Sequence, residues 1–242
     1  ASAVVSAGNT GAAMAASLLY LGRISGILRP GIAAYMPTAK GIVILVDAGA
    51  NTDCSAMNLY QFAVMGSIYA EKIFGIKNPR VGLLNIGEEE TKGNELTLAT
   101  YSLLSSSSLN FIGNVEGKDV HKGDVDVIVC DGFIGNVVLK LSEGLAAVLL
   151  KLIKNQIKSN FISSLGGLLI APSLKKLLPK LDYAEYGGAP LLGINNVSII
   201  SHGSSKAKAI KNALRVAKKA VEEDLVQTIR SSSLKMKDGG DN

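Results

Sequence analysis

The chain has 242 residues, of which 48% are hydrophobic and 19% are charged, and its formal net charge is +5. This length suits one large α/β domain or two small ones, and the composition is that of a globular rather than a disordered protein. The positive charge fits anionic small molecules, an acidic protein or an anionic membrane surface, whereas nucleic acid fits poorly because no basic stretch is interleaved with aromatic residues.

Three further features restrict the class of protein. Cys54 and Cys130 lack metal-ligand spacing and cannot form a disulfide framework, which indicates a reducing cytoplasm. No continuous run reaches the roughly 18 apolar residues that a membrane span needs. The sequence starts at Ala1 without a methionine and opens on what resembles a buried strand, so we expect an N-terminal piece to be missing.

A unit of three parts recurs along the chain: a short apolar run, a glycine-bearing polar turn and a helical stretch. Continuous apolar strands that alternate with helices predict a mostly parallel, Rossmann-like α/β sheet with helices on both faces. Right-handed crossovers place all such turns at one edge of the sheet, where ligands bind, so the polar turn residues are expected to meet in space. The apolar runs are residues 3–5, 42–46, 81–84, 125–129 and 197–201, and the turns begin at residues 6, 47, 85, 131 and 202.

The first turn, GNTG, lies between a strand and a helix and is a candidate anion site. Glycines there let the backbone approach an anion, while free N–H groups and the helix dipole favour negative charge. An ordinary helix N-cap explains the same pattern, so both interpretations stay open. The turn consists of Gly8, Asn9, Thr10 and Gly11.

The loop after the third apolar run, GEEETKGNE, is charged and bounded by glycines. Such a loop is normally a solvated surface feature, but this one follows a strand at the expected ligand edge, where functional loops concentrate. Lys92 has the charge to neutralise a phosphate, and the Asn94 amide can donate a hydrogen bond to a phosphate oxygen.

Three residues near other strand ends are candidates for further chemistry. Asp131 either caps the next helix or orients a cation or a substrate hydroxyl. Cys130 is more typical of a small buried strand residue than of a thioester-forming nucleophile. His202 precedes a Gly-Ser-Ser helix start, which leaves a structural role and a role as acid or phosphate donor both open.

Several stretches resemble the phosphate acyltransferase family of bacterial phospholipid synthesis, PlsX. The matches are collinear, long and unusual, and they extend from residue 1 to about residue 212. In chain order they are SAGNTGA, GILRPGIA, VDAGAN, PRVGLLNIGEEETKGNEL, FIGNVEGKD, DVDVIVCDGFIGNVVLKL, YAEYGGAPLL and IISHGSSKAKAIKN.

The resemblance implies an isocitrate/isopropylmalate dehydrogenase-like α/β fold, with one catalytic domain over residues 1–230 that lacks its first part. It also implies an acyltransferase that makes acyl-phosphate from acyl-[acyl-carrier protein] and inorganic phosphate, as a homodimer. Its product would feed glycerophospholipid synthesis through a membrane-embedded glycerol-3-phosphate acyltransferase. This chemistry calls for no metal, nucleotide or other cofactor, because a thioester is already activated and phosphate is already an anionic nucleophile.

Strand-end placement and the matching motifs together assign candidate roles to individual residues. His202 is the expected acid or oxyanion donor, with Asp131 as its orienting partner and Lys92 as the third member of the catalytic set. The expected phosphate and substrate ligands are Gly8, Asn9, Thr10, Gly11, Lys92, Asn94, Asn136 and Lys140.

Two other functions remain as alternatives. A metal- and NAD-dependent dehydrogenase of the same fold would need an aspartate cluster that holds a divalent cation, and Asp47, Asp131 and Asp182 are scattered along the sequence. A non-catalytic membrane or carrier-protein adaptor is supported only by a basic hairpin.

That hairpin is predicted at residues 143–182, which depart from the repeating unit. Apolar residues recur at helical spacing from Leu141 to Ile157 with lysines on the opposite side, and residues 163–167 are expected to break the helix. The hairpin is expected to serve dimerisation and to bind an anionic membrane surface, as in a cytoplasmic, peripherally associated protein. Residues 231–242 are expected to form a flexible tail. The membrane-contact candidates are Lys151, Lys154, Lys158, Lys175 and Lys176.

Overall fold

The computed structural model describes residues 1–181 and 187–238. In this part of the chain, eight strands form one sheet that is covered by α-helices. The strands are β1 Ala3–Ala7, β2 Gly31–Thr38, β3 Gly41–Val46, β4 Val81–Asn85, β5 Phe111–Glu116, β6 Val127–Val129, β7 Ala189–Leu192 and β8 Val197–Ser201. The helices are α1 Thr10–Tyr20, α2 Ala56–Phe74, α3 Glu95–Ser105, α4 Gly132–Ile157, α5 Phe161–Leu181, α6 Ala207–Glu222 and α7 Leu225–Asp238, with a 3-10 helix at Gly117–Asp119.

The strand order in the sheet is β1-β8-β7-β2-β3-β6-β4-β5. β1 and β8 are parallel, and β3, β6, β4 and β5 form a second parallel group. Between the groups, the pairs β8–β7, β7–β2 and β2–β3 are all antiparallel, so the two groups run in opposite directions. The α/β class is confirmed, but the expectation that all strand-to-helix turns share one edge is wrong.

Both faces of the sheet are buried, which explains why its central strands are continuous apolar runs. On β3, Ile44 and Val46 pack into one apolar layer, and Val43 and Leu45 pack into the other. Residues of α2, α3, α6 and α7 complete the first layer, and residues of α1 and the start of α4 complete the second. The predicted coverage of both faces by helices is therefore confirmed.

The C-terminal helix differs from the flexible tail expected for residues 231–242. α7 continues to Asp238. Ser233 is buried, and its Oγ lies 2.8 Å from the carbonyl oxygens of Ser25 and Arg230. This part of the helix belongs to the folded domain, so the expected tail is wrong for residues 231–238, and residues 239–242 lie outside the described residues.

α4 and α5 form a helical hairpin, but its turn comes earlier than expected. α4 ends at Ile157 and α5 begins at Phe161, so residues 163–167 lie inside α5 instead of breaking the helix. Glycine lowers helix stability by only about 1 kcal/mol, and the absence of a side chain at Gly167 lets α5 lie directly against Ile157. Asp182, the last residue of the predicted hairpin, lies outside the described residues.

By length and composition alone, α4 is long and apolar enough to cross a bilayer. This differs from the expectation that no segment reaches that length, because a helix tolerates a few charged residues among its apolar ones. The start of α4 is buried in the fold at Gly132 and Gly135, whereas most of the helix is exposed. Length and composition are thus weak grounds for a membrane-spanning assignment, and α4 is better described as a helix that leaves the domain as one arm of the hairpin.

Candidate active site

A cavity of about 400 Å³ lies over the middle of the sheet, where the two parallel groups meet. Its floor is apolar and includes Ile32, Ala34 and Ile200. Polar side chains come from the start of α1, the end of β8 and one side of α4. These polar residues are Thr10, Asn136, Lys140, Glu143, Ser201 and His202.

His202 follows β8 directly and lines this cavity. Its Nδ1 accepts a hydrogen bond from the backbone N–H of Ser204 at 3.2 Å and lies 2.6 Å from Ser204 Oγ. Because Nδ1 is an acceptor, the neutral imidazole carries its proton on Nε2. His202 therefore offers an N–H donor from Nε2.

α4 contributes a row of side chains to the cavity. Asn136, Lys140 and Glu143 follow the i, i+4, i+7 spacing that places residues on one face of a helix. Lys140 Nζ lies 2.8 Å from Glu143 Oε2. Both side chains are about half exposed, so this pair contributes little to stability but holds the ammonium group at the cavity.

The cavity wall next to the start of α4 is fixed by Asp47, the residue that follows β3. Its carboxylate is fully buried and accepts hydrogen bonds from the backbone N–H groups of Ile32, Gly49, Ala50 and Asn51 and from the Asn51 amide, at 2.7–3.1 Å. Burial raises the pKa of this carboxyl, and the hydrogen bonds from Ala50, Asn51 and Ile32 act in the opposite direction. The network holds the loop at residues 47–51 against the start of β2.

Two glycines let α4 begin directly on this loop. A Cβ at Gly132 would lie 2.6 Å from the carbonyl oxygen of Asn51, and a Cβ at Gly135 would overlap the carbonyl oxygen of Asp47. Gly49 has φ +134°, a conformation that favours glycine, and its α-carbon faces Asn136. Glycine at these positions therefore sets how close Asn136 comes to the cavity wall.

Three of the predicted site residues serve as helix caps. Asn9 Oδ1 accepts from the Ala12 N–H, Asn94 Oδ1 from Thr97, and Asp131 Oδ1 from Ile134. Of the GNTG turn, only Thr10 lines the cavity, whereas Gly8 and Gly11 do not. The helix-cap interpretation, which the sequence left open for the GNTG turn and for Asp131, explains Asn9 and Asp131. Asn94 caps α3 in the same way, which the sequence analysis did not consider.

The expected pairing of Asp131 with His202 is wrong. Asp131 caps α4, and the residue bound to the His202 ring is Ser204. A strand-end aspartate and a strand-end histidine would meet if all turns shared one edge. Here they follow β6 and β8, which belong to the two groups that run in opposite directions.

The expectation that Lys92 reaches the turn at residues 8–11 is also wrong. β1 and β4 are six positions apart in the sheet, which is about 29 Å at 4.8 Å per strand. The loop that carries Lys92 is tied to its own strand, because Asn85 Nδ2 donates to the Lys92 carbonyl oxygen at 2.9 Å. Lys92 and Asn94 do not line the cavity.

Sequence reasoning assigned no site role to Asp47, Gly49, Glu143 or Ser204. The motif VDAGAN after a buried strand was a visible signal for Asp47 and Gly49. The GSS after His202 was a visible signal for Ser204. Glu143 gave no local signal, because only the course of α4 brings it to the cavity.

The two cysteines are poor nucleophiles in this environment. Cys130 is buried, and burial raises the pKa of its thiol well above the ordinary value. Burial, with the nearby Asp47 charge, raises the pKa of Cys54 to about 11. Neither thiol is a thiolate at neutral pH, and the thiolate is the reactive form.

The sequence matches the family model described as fatty acid synthesis protein over residues 1–228. The chain belongs to this family. It is 59% identical over 244 residues to a phosphate acyltransferase of Pelotomaculum thermopropionicum, covering 100% of the chain and 71% of that relative. It is 62% identical over 230 residues to a phosphate acyltransferase of Heliobacterium modesticaldum, covering 95% of the chain and 69% of the relative. The chain is therefore an acyltransferase.

Solved structures of phosphotransacetylases share the fold. The EutD phosphotransacetylase from Staphylococcus aureus superposes with a TM-score of 0.62 at 14% identity, over 91% of this chain and 63% of that one. A phosphotransacetylase from Streptococcus pyogenes gives 0.62 at 17% identity, over 92% and 64%. At this identity the likeness concerns the fold alone, and the chain spans just under two thirds of either protein.

The close contact at Gly135 generates a stability prediction. Gly135→Ala places a methyl group on the carbonyl of Asp47, so we expect the unfolding free energy to fall by at least about 2 kcal/mol. Gly144→Ala is the matched control in the same helix: its Cβ meets nothing within 4 Å, and we expect a gain of about 0.5–1 kcal/mol. Urea denaturation measures both, and equal effects of the two variants would contradict the described packing.

Proposed function

We propose that this chain transfers an acyl group from the thioester of an acyl carrier protein to inorganic phosphate, producing acyl-phosphate. The observation that carries this proposal is the cavity in which Lys140, Asn136 and the His202 Nε2–H meet over an apolar floor. The relatives' name, phosphate acyltransferase, and the family's description as a fatty acid synthesis protein support both substrates.

In the proposed reaction a phosphate oxygen attacks the thioester carbonyl carbon, and a C–O bond forms. The carbonyl oxygen becomes an oxyanion, which then collapses while the C–S bond breaks, and the thiolate leaves and takes up the proton that hydrogen phosphate has lost. Holding phosphate against the carbonyl can contribute several kcal/mol, and one donor to the oxyanion about 3–4 kcal/mol.

The cavity supplies groups for each of these tasks. Lys140 provides positive charge for the phosphate, and Asn136 and Thr10 add polar side chains to the lining of the same cavity. The His202 Nε2–H is a donor in the neutral imidazole, which suits stabilisation of the oxyanion without proton transfer. The apolar floor is suited to the first part of the acyl chain.

Transfer is proposed to be direct, without an acyl-cysteine. Both thiols have raised pKa values, and Cys130 is buried behind the Asp47 loop. Phosphate is itself the nucleophile, so a covalent relay through the enzyme would bring no chemical advantage.

The alternatives fit the site less well. A dehydrogenase with a divalent cation needs free aspartate oxygens, but those of Asp47 are occupied by five N–H donors, and Asp131 caps α4. A purely structural adaptor gives no reason for a cavity with converging donors.

The proposed roles predict distinct kinetic effects in the enzyme. With acyl-phosphate trapped by hydroxylamine, His202→Ala should lower kcat by about 10²–10³-fold through loss of the oxyanion donor. Lys140→Ala should raise the KM for phosphate at least tenfold. Cys130→Ala and the exposed-lysine control Lys77→Ala should keep most of the activity. An acyl adduct on Cys130 found by mass spectrometry would overturn direct transfer, and a wild-type chain that forms no acyl hydroxamate would overturn the function.

The α4–α5 hairpin is proposed to mediate dimerisation and peripheral membrane binding in the cytoplasm. Its apolar side chains are exposed in the single chain, for example Leu141 at 69%, Phe161 at 82% and Leu169 at 76%. From residue 144 to residue 181 the segment carries six lysines and no acidic residue. A large exposed apolar surface indicates an interaction site, and each lysine near anionic lipid contributes about 1 kcal/mol. A labile, amphipathic acyl-phosphate would then be released beside the membrane-embedded acyltransferase that consumes it.

Vesicle flotation tests the membrane half of this proposal. We expect binding to anionic but not to neutral liposomes, with weakening at high salt because the attraction is electrostatic. Replacing Lys151, Lys154 and Lys158 with glutamate should abolish flotation. Unchanged flotation would contradict membrane binding and leave dimerisation as the proposed role of the hairpin. Sedimentation velocity of wild type and of Leu141→Glu would then test dimerisation.

A further inference from the structure

His121, the other histidine of the chain, does not line the cavity but binds the helix that does. Its ring Nδ1 lies 2.8 Å from the carbonyl oxygen of Pro37, and its Nε2 lies 3.0 Å from Ser142 Oγ on α4. A carbonyl oxygen is only an acceptor, so Nδ1 carries a proton and donates it to Pro37. Nε2 of the neutral ring then accepts from the Ser142 hydroxyl, and a protonated ring donates to the same oxygen. The link between His121 and Ser142 therefore forms in either charge state of the ring.

The loop that carries His121 is fixed against the turn between β2 and β3. Val120, directly before His121, is buried and packs in the same apolar layer as Ile32 and Ala34 of the cavity floor. The backbone N–H of Ala39 donates to the His121 carbonyl oxygen at 2.9 Å. The ring is therefore presented by the folded domain, on the face of the sheet that carries the cavity.

Ser142 lies at the end of the part of α4 that packs on the sheet. Val138 and Leu139 are partly buried against the same apolar layer, and Ser142 follows them at i+4 and i+3, on the same side of the helix. Ser142 is half-buried, whereas residues 140, 141 and 143–145 are exposed. Within residues 1–181 and 187–238, its bond to His121 is the one side-chain hydrogen bond that joins α4 to the domain outside the hairpin.

The turn of α4 that His121 holds is also the turn that lines the cavity. Lys140 lies two residues before Ser142 and Glu143 directly follows it, and both line the cavity. After this turn α4 continues to Ile157, over about 22 Å at 1.5 Å per residue. Motion of this largely exposed arm would be transmitted to Lys140 if the helix were held only at its start. The attachment at Ser142 restricts that motion where it matters for the cavity.

We propose that His121 is a positioning residue that sets the place of Lys140 in the cavity by holding α4 through Ser142. This inference rests on the proposed function, in which Lys140 binds the phosphate. His121 acts through the backbone of α4 and touches no reacting group. His202 and the apolar floor belong to the sheet and its strand ends, so they stay in place when His121 is lost. The proposal therefore assigns His121 to phosphate binding and not to stabilisation of the oxyanion.

A double-mutant cycle measures this role in the enzyme. His121→Ala should raise the KM for phosphate about three- to tenfold, the effect of one lost hydrogen bond, with kcat within twofold of wild type. Ser142→Ala should give the same rise, because it removes the other partner of the bond. The double variant should be no worse than either single variant. Ser142→Thr keeps the hydroxyl group and should keep the wild-type KM.

Asp124→Asn is the matched control. Asp124 forms an ion pair with Lys40, which ties the loop of His121 to the same β2–β3 turn without reaching α4. This variant should keep the KM for phosphate within twofold of wild type. In a Lys140→Ala enzyme, adding His121→Ala should raise the KM no further, because His121 acts through Lys140. Circular dichroism and thermal unfolding check that all variants fold.

Amide hydrogen exchange measures the attachment of α4 without turnover. In His121→Ala, the amides of residues 140–147 should exchange at least threefold faster than in wild type, while those of α2 should not change.

An unchanged phosphate KM in His121→Ala, an equal rise in Asp124→Asn, or effects of His121→Ala and Ser142→Ala that multiply in the double variant would each overturn the proposal. If wild type makes no acyl-phosphate, the proposed function fails. The exchange result then still decides whether His121 holds α4, and unchanged exchange in His121→Ala would overturn that claim as well.

Discussion

The site depends on the hydrogen bonds that the buried carboxylate of Asp47 accepts. A charged carboxylate inside a protein loses its hydration, and here five N–H donors replace the water. Each hydrogen bond to a charged group contributes about 1.5–3 kcal/mol, and losing the acceptor would leave several buried N–H groups unpaired. The donors come from β2 and from the loop after β3, so one side chain joins the two elements that form the cavity wall.

The same loop also positions α4. Gly132 and Gly135 place the first turn of the helix against residues 47–51, and the helix then carries Asn136, Lys140 and Glu143 past the cavity. On the other side, His202 arrives at the end of β8, a strand that runs opposite to β3. The cavity exists because the antiparallel strands β7 and β2 join two parallel groups of opposite direction. Donors from both groups therefore face one space from different sides.

The sequence predicted the α/β class and the importance of residues after apolar strands, because burial on both faces leaves a clear pattern. Strand-end placement together with the matching family motifs singled out Thr10, Asn136, Lys140 and His202, and all four line the cavity. Lys92 was placed with them wrongly, because sequence shows which strands exist but not their order in the sheet.

Other differences arise where one residue type serves two purposes. Asn and Asp at a strand-to-helix turn either cap the helix or bind a ligand, and Asn94 and Asp131 are caps. Serine and glycine at residues 163–167 are compatible with both a turn and a helix. Contacts between α4 and α5 stabilise the helix. Family resemblance supplied the reaction, which spacing and periodicity alone left open between several classes.

A crystal structure of the enzyme with phosphate or sulfate tests the central claim most directly. The account predicts a tetrahedral anion in the cavity, with oxygens at about 2.6–3.2 Å from Lys140 Nζ and the Asn136 amide, and with room for a carbonyl oxygen beside His202 Nε2. An anion held instead by the loop of Lys92 and Asn94, with the cavity empty at saturating phosphate, would contradict it.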